Sequence, residues 1–227
     1  MENKEIYKTI NVEIVGRSEL LMNRCDPQSL KSRSRLRLEK YSTKTDAAKA
    51  AYIAEIDGKK QLYIPQEAVF SMLINTAKQY RVRRTAVSSI LAGTIRIEPE
   101  KIPLGTAKYI IDERAVVIQG QRVLKGRAKL HKGWKAKFQI VYDTKHLPTG
   151  IESTLREIIE DAGIRMGLLD FRPQHKGWFG TFNVAHFTVD GKEVEVPKLA
   201  EEAEEAEEAK ETKETTASEE TEEETTE

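Results

Sequence analysis

Residues 6–15 alternate imperfectly between apolar and polar positions, with Ile10, Val12 and Ile14 on one side, and their β-branched side chains predict a first strand running into Gly16. Beyond Gly16 the period is lost. Arg17, Arg24, Lys31, Arg33, Arg35, Arg37, Lys40 and Lys44 follow one another among serines, which predicts a basic loop over 17–44. A loop of that length inside a compact domain is usually functional or mobile. Helical spacing returns with Ala47, Ala50, Ala51 and Ala54, so Asp46 is expected to cap a short helix ending near Ile56. Asp57-Gly58 marks a turn and Leu62-Tyr63-Ile64 a short strand.

Pro65 suits the first position of a helix, where its missing N–H costs nothing. Ala68, Val69, Met72, Leu73, Thr76 and Ala77 form an apolar stripe that carries this helix to about Tyr80, with Lys78, Arg81, Arg83 and Arg84 crowded at its end. A short helix over 86–91 and strands over 94–97, 109–119 and 135–142 come next. Pro148 and Gly150 announce a second long helix, with Ile151, Leu155, Ile158, Ile159 and Ala162 on its face and Gly163 as a left-handed C-cap. A last strand covers 181–189. The larger elements run β-α-β-β-α-β, which predicts an α+β, ferredoxin-like body: an antiparallel sheet with two helices on one face, decorated by insertions.

Charge changes this picture. The chain of 227 residues has 37 Lys+Arg and 37 Asp+Glu, yet residues 200–227 hold fourteen Glu and no Asp against two Lys. That segment carries −12 and the remainder +12. The expectation is a basic body over 1–199 and a disordered acidic tail over 200–227, an asymmetry that points to nucleic acid or an acidic partner. A body of this length can bury a proper core. Cys25 is the one cysteine, and His131, His146, His175 and His186 lack ligand spacing, so neither a disulfide nor a metal or other cofactor is expected. Without an apolar leader or a run of 18 apolar residues, the expected setting is the cytoplasm, with no membrane contact.

Four basic segments are candidate contacts to single-stranded nucleic acid. The loop over 17–44 supplies Arg24, Arg33, Arg35 and Arg37, and the helix end supplies Arg81, Arg83 and Arg84. Residues 120–137 supply Arg122, Lys125, Arg127, Lys129 and Lys132, read as a hairpin with a cationic tip that clamps a sugar-phosphate backbone. Trp134 lies in the same segment as a candidate stacker, with burial in the core as its other expected fate. The segment 163–180 joins four glycines to Arg172, Lys176, Phe171 and Trp178; glycines let backbone approach a phosphate or base, and the aromatics offer stacking faces. The alternative is a loop that needs glycine for its own folding. No nucleophile-base-orienter set, phosphate-binding glycine motif or acidic Mg²⁺ cluster is visible, so the chain is expected not to be an enzyme. His175 and Asp26 are the residues to suspect if RNA is cleaved.

The opening strand ending INVEIVGRSELLMN, the junction LYIPQEAVFSMLINTAK and the glycine-rich segment before the last strand resemble the RAMP superfamily. These are ferredoxin-like RNA-binding proteins that form the backbone of CRISPR effector complexes. Leu168, Leu169 and Asp170 interrupt the family's basic glycine-rich pattern. The segments LLMN, LYIP and AGIRMGLLDFRP, in this order, are also similar to a group of small phage proteins of unassigned function, over most of the body. That resemblance implies a phage or prophage setting and no activity.

The expectation from sequence is therefore a non-enzymatic single-stranded nucleic-acid-binding protein, with DNA as the preferred strand, serving phage replication or recombination. Its tail would compete for the binding groove or recruit replication and recombination proteins, and copies would assemble along the strand. The alternatives are a CRISPR-type RNA-binding or RNA-processing subunit, and a structural protein that works through its tail.

Overall fold

Strand β1 (Tyr7–Gly16) sits at the middle of the main sheet, and its alternation is real: Ile10, Val12 and Ile14 are buried while Asn11 is exposed. The computed structural model describes residues 6–25, 42–82, 84–118 and 121–194. The central sheet has five strands. β11 (Lys135–Asp143) and β12 (Phe182–Val189) flank β1, with β7 (Ile95–Glu98) outside β11 and β13 (Lys192–Glu193) outside β12, every pair antiparallel. A register shift between Glu13 and Ile14 lets Phe187, Val184 and Phe182 all pair opposite the inward side of β1. Ala136, Phe138, Ile140, Tyr142, Ile95 and Ile97 complete the same buried face.

Two helices cover that face. α2 (Gln66–Ala77) packs against β7, α4 (Ile151–Arg165) against β12, and the two pack on each other. The stripe Val69, Met72, Leu73, Thr76 and Ala77 is buried as its spacing predicts, as is the stripe of α4. Burial of each such aliphatic side chain contributes about 1.5–3 kcal/mol, so these two stripes hold the layers together.

The insertions form a second region. β2 (Leu20–Met22), β10 (Gln121–Leu130) and β9 (Ile110–Ile118) make a three-stranded sheet in the order β2-β10-β9, and α1 (Thr43–Ala50) lies against β10 and β9. β3 (Ile53–Ile56), β4 (Lys59–Pro65) and β8 (Lys101–Pro103) form another, and β5 (Arg81–Val82) with β6 (Thr85–Ala86) forms a small hairpin leading into α3 (Val87–Thr94). The described residues thus form a mixed α+β fold with antiparallel sheets and four helices. Among the described residues no helix is long and apolar enough to cross a membrane.

Several expectations are corrected. Leu20, Leu21 and Met22 are a fully buried strand; three consecutive apolar residues show no period, yet β10 pairs with them. The alanine helix starts earlier and stops at Ala50, with Ser42 rather than Asp46 at its N-cap position. Ile53–Ile56 leaves it because Asp57 and Gly58 both take positive φ, the geometry of a two-residue hairpin turn that pairs β3 with β4. Gly163 lies inside α4 instead of capping it. A Cβ there would stand 2.4 Å from the Phe182 carbonyl oxygen, so its role is close helix–strand contact. Gly167, at φ +69°, takes the left-handed position.

Candidate nucleic-acid interface

The described part of the basic segment runs from strand β10 through a turn into the start of β11, and the two strands lie in different sheets, so the segment does not fold on itself as a hairpin. On one face of β10, Gly126, Ala128 and Leu130 point inward. α1 crosses so closely that a Cβ on Gly126 would stand 2.0 Å from the Thr43 carbonyl oxygen. Lys125, Arg127 and Lys129 share the other face, and each has an internal partner. Lys125 Nζ donates to Asn23 Oδ1 at 3.0 Å. Arg127 Nη1 lies 3.1 Å from Asp170 Oδ2, with the two side chains 14% and 28% exposed. Lys129 Nζ is 3.0 Å from Glu19 Oε1 and 3.6 Å from Asp112 Oδ1. Arg127 and Lys129 are neutralised from within while Lys125 is held by a neutral amide, and Arg127 ties the insertion sheet to the segment 166–181 through Asp170.

That segment is itself tightly folded. Its backbone N–H groups are spent inside the protein: Leu168 donates to Gly180, Asp170 to Leu21, Gly177 to Arg172, Phe179 to Phe171 and Gly180 to Glu19. Cβ atoms on Gly177 and Gly180 would fall 1.8 and 2.0 Å from the carbonyl oxygens of Phe171 and Leu168. The glycines therefore serve the loop's own packing. Arg172 is likewise engaged, donating from Nη1 to the Leu169 carbonyl at 2.6 Å and from Nε and Nη2 to Gln174 Oε1. Burial holds its guanidinium somewhat below its ordinary pKa.

Trp134 takes the core fate of the two expected for it. It is 7% exposed, donates from Nε1 to the Ser18 carbonyl at 2.9 Å and lies edge-on to Phe182. Gly16 makes room for it, since a Cβ there would meet the indole nitrogen at 2.1 Å. Trp178 is the opposite case. It is 59% exposed, edge-on to Phe171 with centroids 4.8 Å apart. Beneath this aromatic group lies Arg114, 5.7 Å from the Trp178 ring, 5.8 Å from Phe171 and 4.9 Å from Phe179. Asp112 orients Arg114 through a forked contact of 2.7 and 3.3 Å. Arg114 was not among the sequence candidates; the signal was its alternation with Asp112 along β9, unreadable without knowing what packs on that face.

Of the remaining candidates, Arg24, Arg81, Arg84, Arg122, Lys132 and Lys176 are exposed and form no side-chain hydrogen bond or ion pair among the described residues. Arg33, Arg35, Arg37, Arg83 and Asp26 lie outside the described residues. Lys176 follows the short 3₁₀ turn Pro173–His175, two residues before Trp178. Arg81 and Arg84 sit on the β5–β6 hairpin next to Tyr80, which hydrogen-bonds Asp161 of α4. The open face of the central sheet carries paired polar groups, with Lys137 2.8 Å from Glu13 and Gln139 2.9 Å from Asn11. Lys137 holds the Glu13 carboxyl below its ordinary pKa. Tyr7 is the aromatic residue of β1 on that face, at its end, so an RRM-like row of stacking aromatics is not built there. No group of three His, Cys, Asp or Glu among the described residues can hold a metal ion.

No family model matches the chain, and no curated protein does. Among solved structures, the fold is similar to a chain in the cryo-EM structure of the Type III-B Cmr-beta complex bound to cognate target RNA. The TM-score is 0.55 and the identity 12%, over 81% of this chain and 61% of that one. A chain of a Type IV-B CRISPR complex aligns with a TM-score of 0.47 and 11% identity, over 84% of this chain and 94% of that one. This chain thus spans under two thirds of the Cmr-beta chain. The resemblance to small phage proteins gains no support from these neighbours. At such identity the likeness is one of fold.

Proposed function

We propose that the chain is an RNA-binding subunit of RAMP type that holds a single strand without cleaving it. The strand order β12-β1-β11-β7, with α2 and α4 on one face, is the order a β-α-β-β-α-β ferredoxin-like unit produces. A chain of similar fold belongs to a complex bound to its target RNA, which favours the CRISPR-type reading over the replication role expected from sequence. The observation that carries the reading is Trp178, exposed above Phe171 and Arg114 beside the unpaired Lys176. An aromatic face with neighbouring cations stacks a base of any identity, while the cations hold phosphates. The acidic segment 200–227 acts in this reading as an internal competitor for the same surface, and copies of the chain assemble along the strand.

Tryptophan fluorescence tests the proposal. Trp134 is buried and hydrogen-bonded, so quenching by added single-stranded RNA reports Trp178. Trp178→Ala is expected to abolish the quench and weaken binding by about 1–3 kcal/mol, the worth of one base–aromatic stack. Unchanged affinity of Trp178→Ala, or equal affinity for single-stranded and duplex RNA, overturns the assignment.

A further inference from the structure

Beside the paired row on β10 a polar cleft of about 230 Å³ opens, lined by Asn23, Tyr52, Ala68, Leu169, Asp170 and Arg172. Pockets for drug-sized ligands run to roughly 300–1,000 Å³, so this one fits a single flat ring system. Its walls are suited to such a ring. Half-buried Tyr52 gives an aromatic wall, held edge-on by Tyr63 at 5.7 Å, and Ala68 and Leu169 give aliphatic ones.

The polar groups are specific. Asp170 Oδ2 is fully buried and faces Arg127, an ion pair without hydrogen-bond geometry. The 28% exposure of the Asp170 side chain therefore belongs to the rest of it, including Oδ1, which accepts no hydrogen bond among the described residues. Asn23 spends its Oδ1 on Lys125, leaving the Nδ2 N–H groups as donors. The cleft thus combines one anionic acceptor with one neutral amide donor. Arg172 stands at the cleft with its guanidinium committed to Leu169 and Gln174, and it keeps that side positive toward a phosphate.

We propose that this cleft receives one unstacked nucleobase of the bound strand and favours a base with an exocyclic amino group. Adenine, cytosine and guanine each place an N–H donor next to a ring or carbonyl acceptor. The amino group donates to Asp170 while the neighbouring acceptor takes an Asn23 N–H. Uracil has no amino group; its single N3–H can meet Asp170 with one flanking carbonyl on Asn23, but the other carbonyl then faces the carboxylate and repels it. The proposal rests on the RNA-binding reading above, and deepens it by giving that surface a base preference which Trp178 alone cannot provide.

The test uses the full chain and ten-nucleotide RNAs: U10, and U10 with the fifth residue replaced by A or by C. Affinities of the wild type are compared with Ala68→Leu, which fills the cleft from an α2 position without touching a charge. Wild type is expected to bind the A- and C-containing strands at least about fivefold more tightly than U10, the lower end of discrimination by a good base contact. Ala68→Leu is expected to bind all three alike, at the wild-type affinity for U10. Equal binding of the three strands by wild type, or a preference that survives in Ala68→Leu, overturns the cleft assignment while U10 binding leaves the RNA reading standing. Absence of binding to every strand overturns both.

Discussion

Arg127 and Arg122 lie on the same strand and look equivalent in sequence, yet Arg127 is paired with Asp170 and Arg122 is exposed. Arg127→Ala removes the counter-charge of Asp170 in a site where the two side chains are 14% and 28% exposed. Breaking a fully buried pair costs about 3–5 kcal/mol, and partial exposure of Asp170 screens some of this, which brings the expected loss to about 1–3 kcal/mol. For a domain of this size about 1 kcal/mol moves the midpoint by roughly 2–4 °C, so thermal unfolding is expected about 2–12 °C below wild type. Arg127→Ala/Asp170→Ala recovers part of the loss, because no lone charge remains. Arg122→Ala, at an exposed position without a partner, leaves the midpoint within about 0.5 kcal/mol of wild type. It makes the salt dependence of RNA binding shallower by about 0.7 in log–log slope, one phosphate contact on a single strand. The assays are circular-dichroism melting and RNA titration of the same preparations at 25 °C. If Arg127→Ala melts like wild type and instead loses RNA affinity, the internal assignment of the β10 row is wrong and the row faces phosphate.

Gly16→Ala drives a methyl group into the Trp134 indole and is expected to cost about 1–3 kcal/mol through overpacking, seen as a lower melting point with altered near-ultraviolet dichroism. Desolvation and Asp161 raise the Tyr80 phenol to about 12 against 10 in an unfolded chain. A raised phenol stabilises the fold below pH 10, and this contribution is lost as pH climbs toward 12. Denaturant titrations across pH 10–12 are therefore expected to show a steeper loss of stability in wild type than in Tyr80→Phe. Deleting residues 200–227 removes a net charge of −12 and is expected to tighten RNA binding, most at low salt; unchanged affinity refutes the role of that segment as a competitor.

The main layers were legible because period and burial coincide there: Ile10, Val12 and Ile14, the α2 stripe and the α4 stripe are each read by spacing alone and each buried. Legibility failed where a residue's role is decided by a distant partner. Leu20–Met22 carries no period, and Ala128 pairs with it from more than a hundred residues away. Lys125, Arg127 and Lys129 read as a phosphate clamp, since composition cannot reveal that Asn23, Asp170 and Glu19 meet them. The two tryptophans show both outcomes. Each follows a glycine in a basic stretch, but Trp134 enters the space that Gly16 leaves while Trp178 stays on the surface. The glycines of the segment 163–180 had two readings, room for a phosphate or the loop's own folding, and they admit neighbouring backbone.

The central claim is that exposed, unpaired cations hold a single RNA strand, and the salt dependence of binding measures it most directly. Arg24, Arg81, Arg84, Arg122, Lys132 and Lys176 are the described candidates. If a strand engages all of them, the plot of log affinity against log salt is expected to have a slope of about −4, a loss of roughly 300-fold between 50 and 200 mM salt. A titration of fluorescent single-stranded RNA across that range, with single-stranded DNA and duplex RNA alongside, gives the slope and the preference together. A steep slope with RNA as the preferred strand is the predicted result; a slope near zero, or tighter binding to single-stranded DNA, contradicts the account.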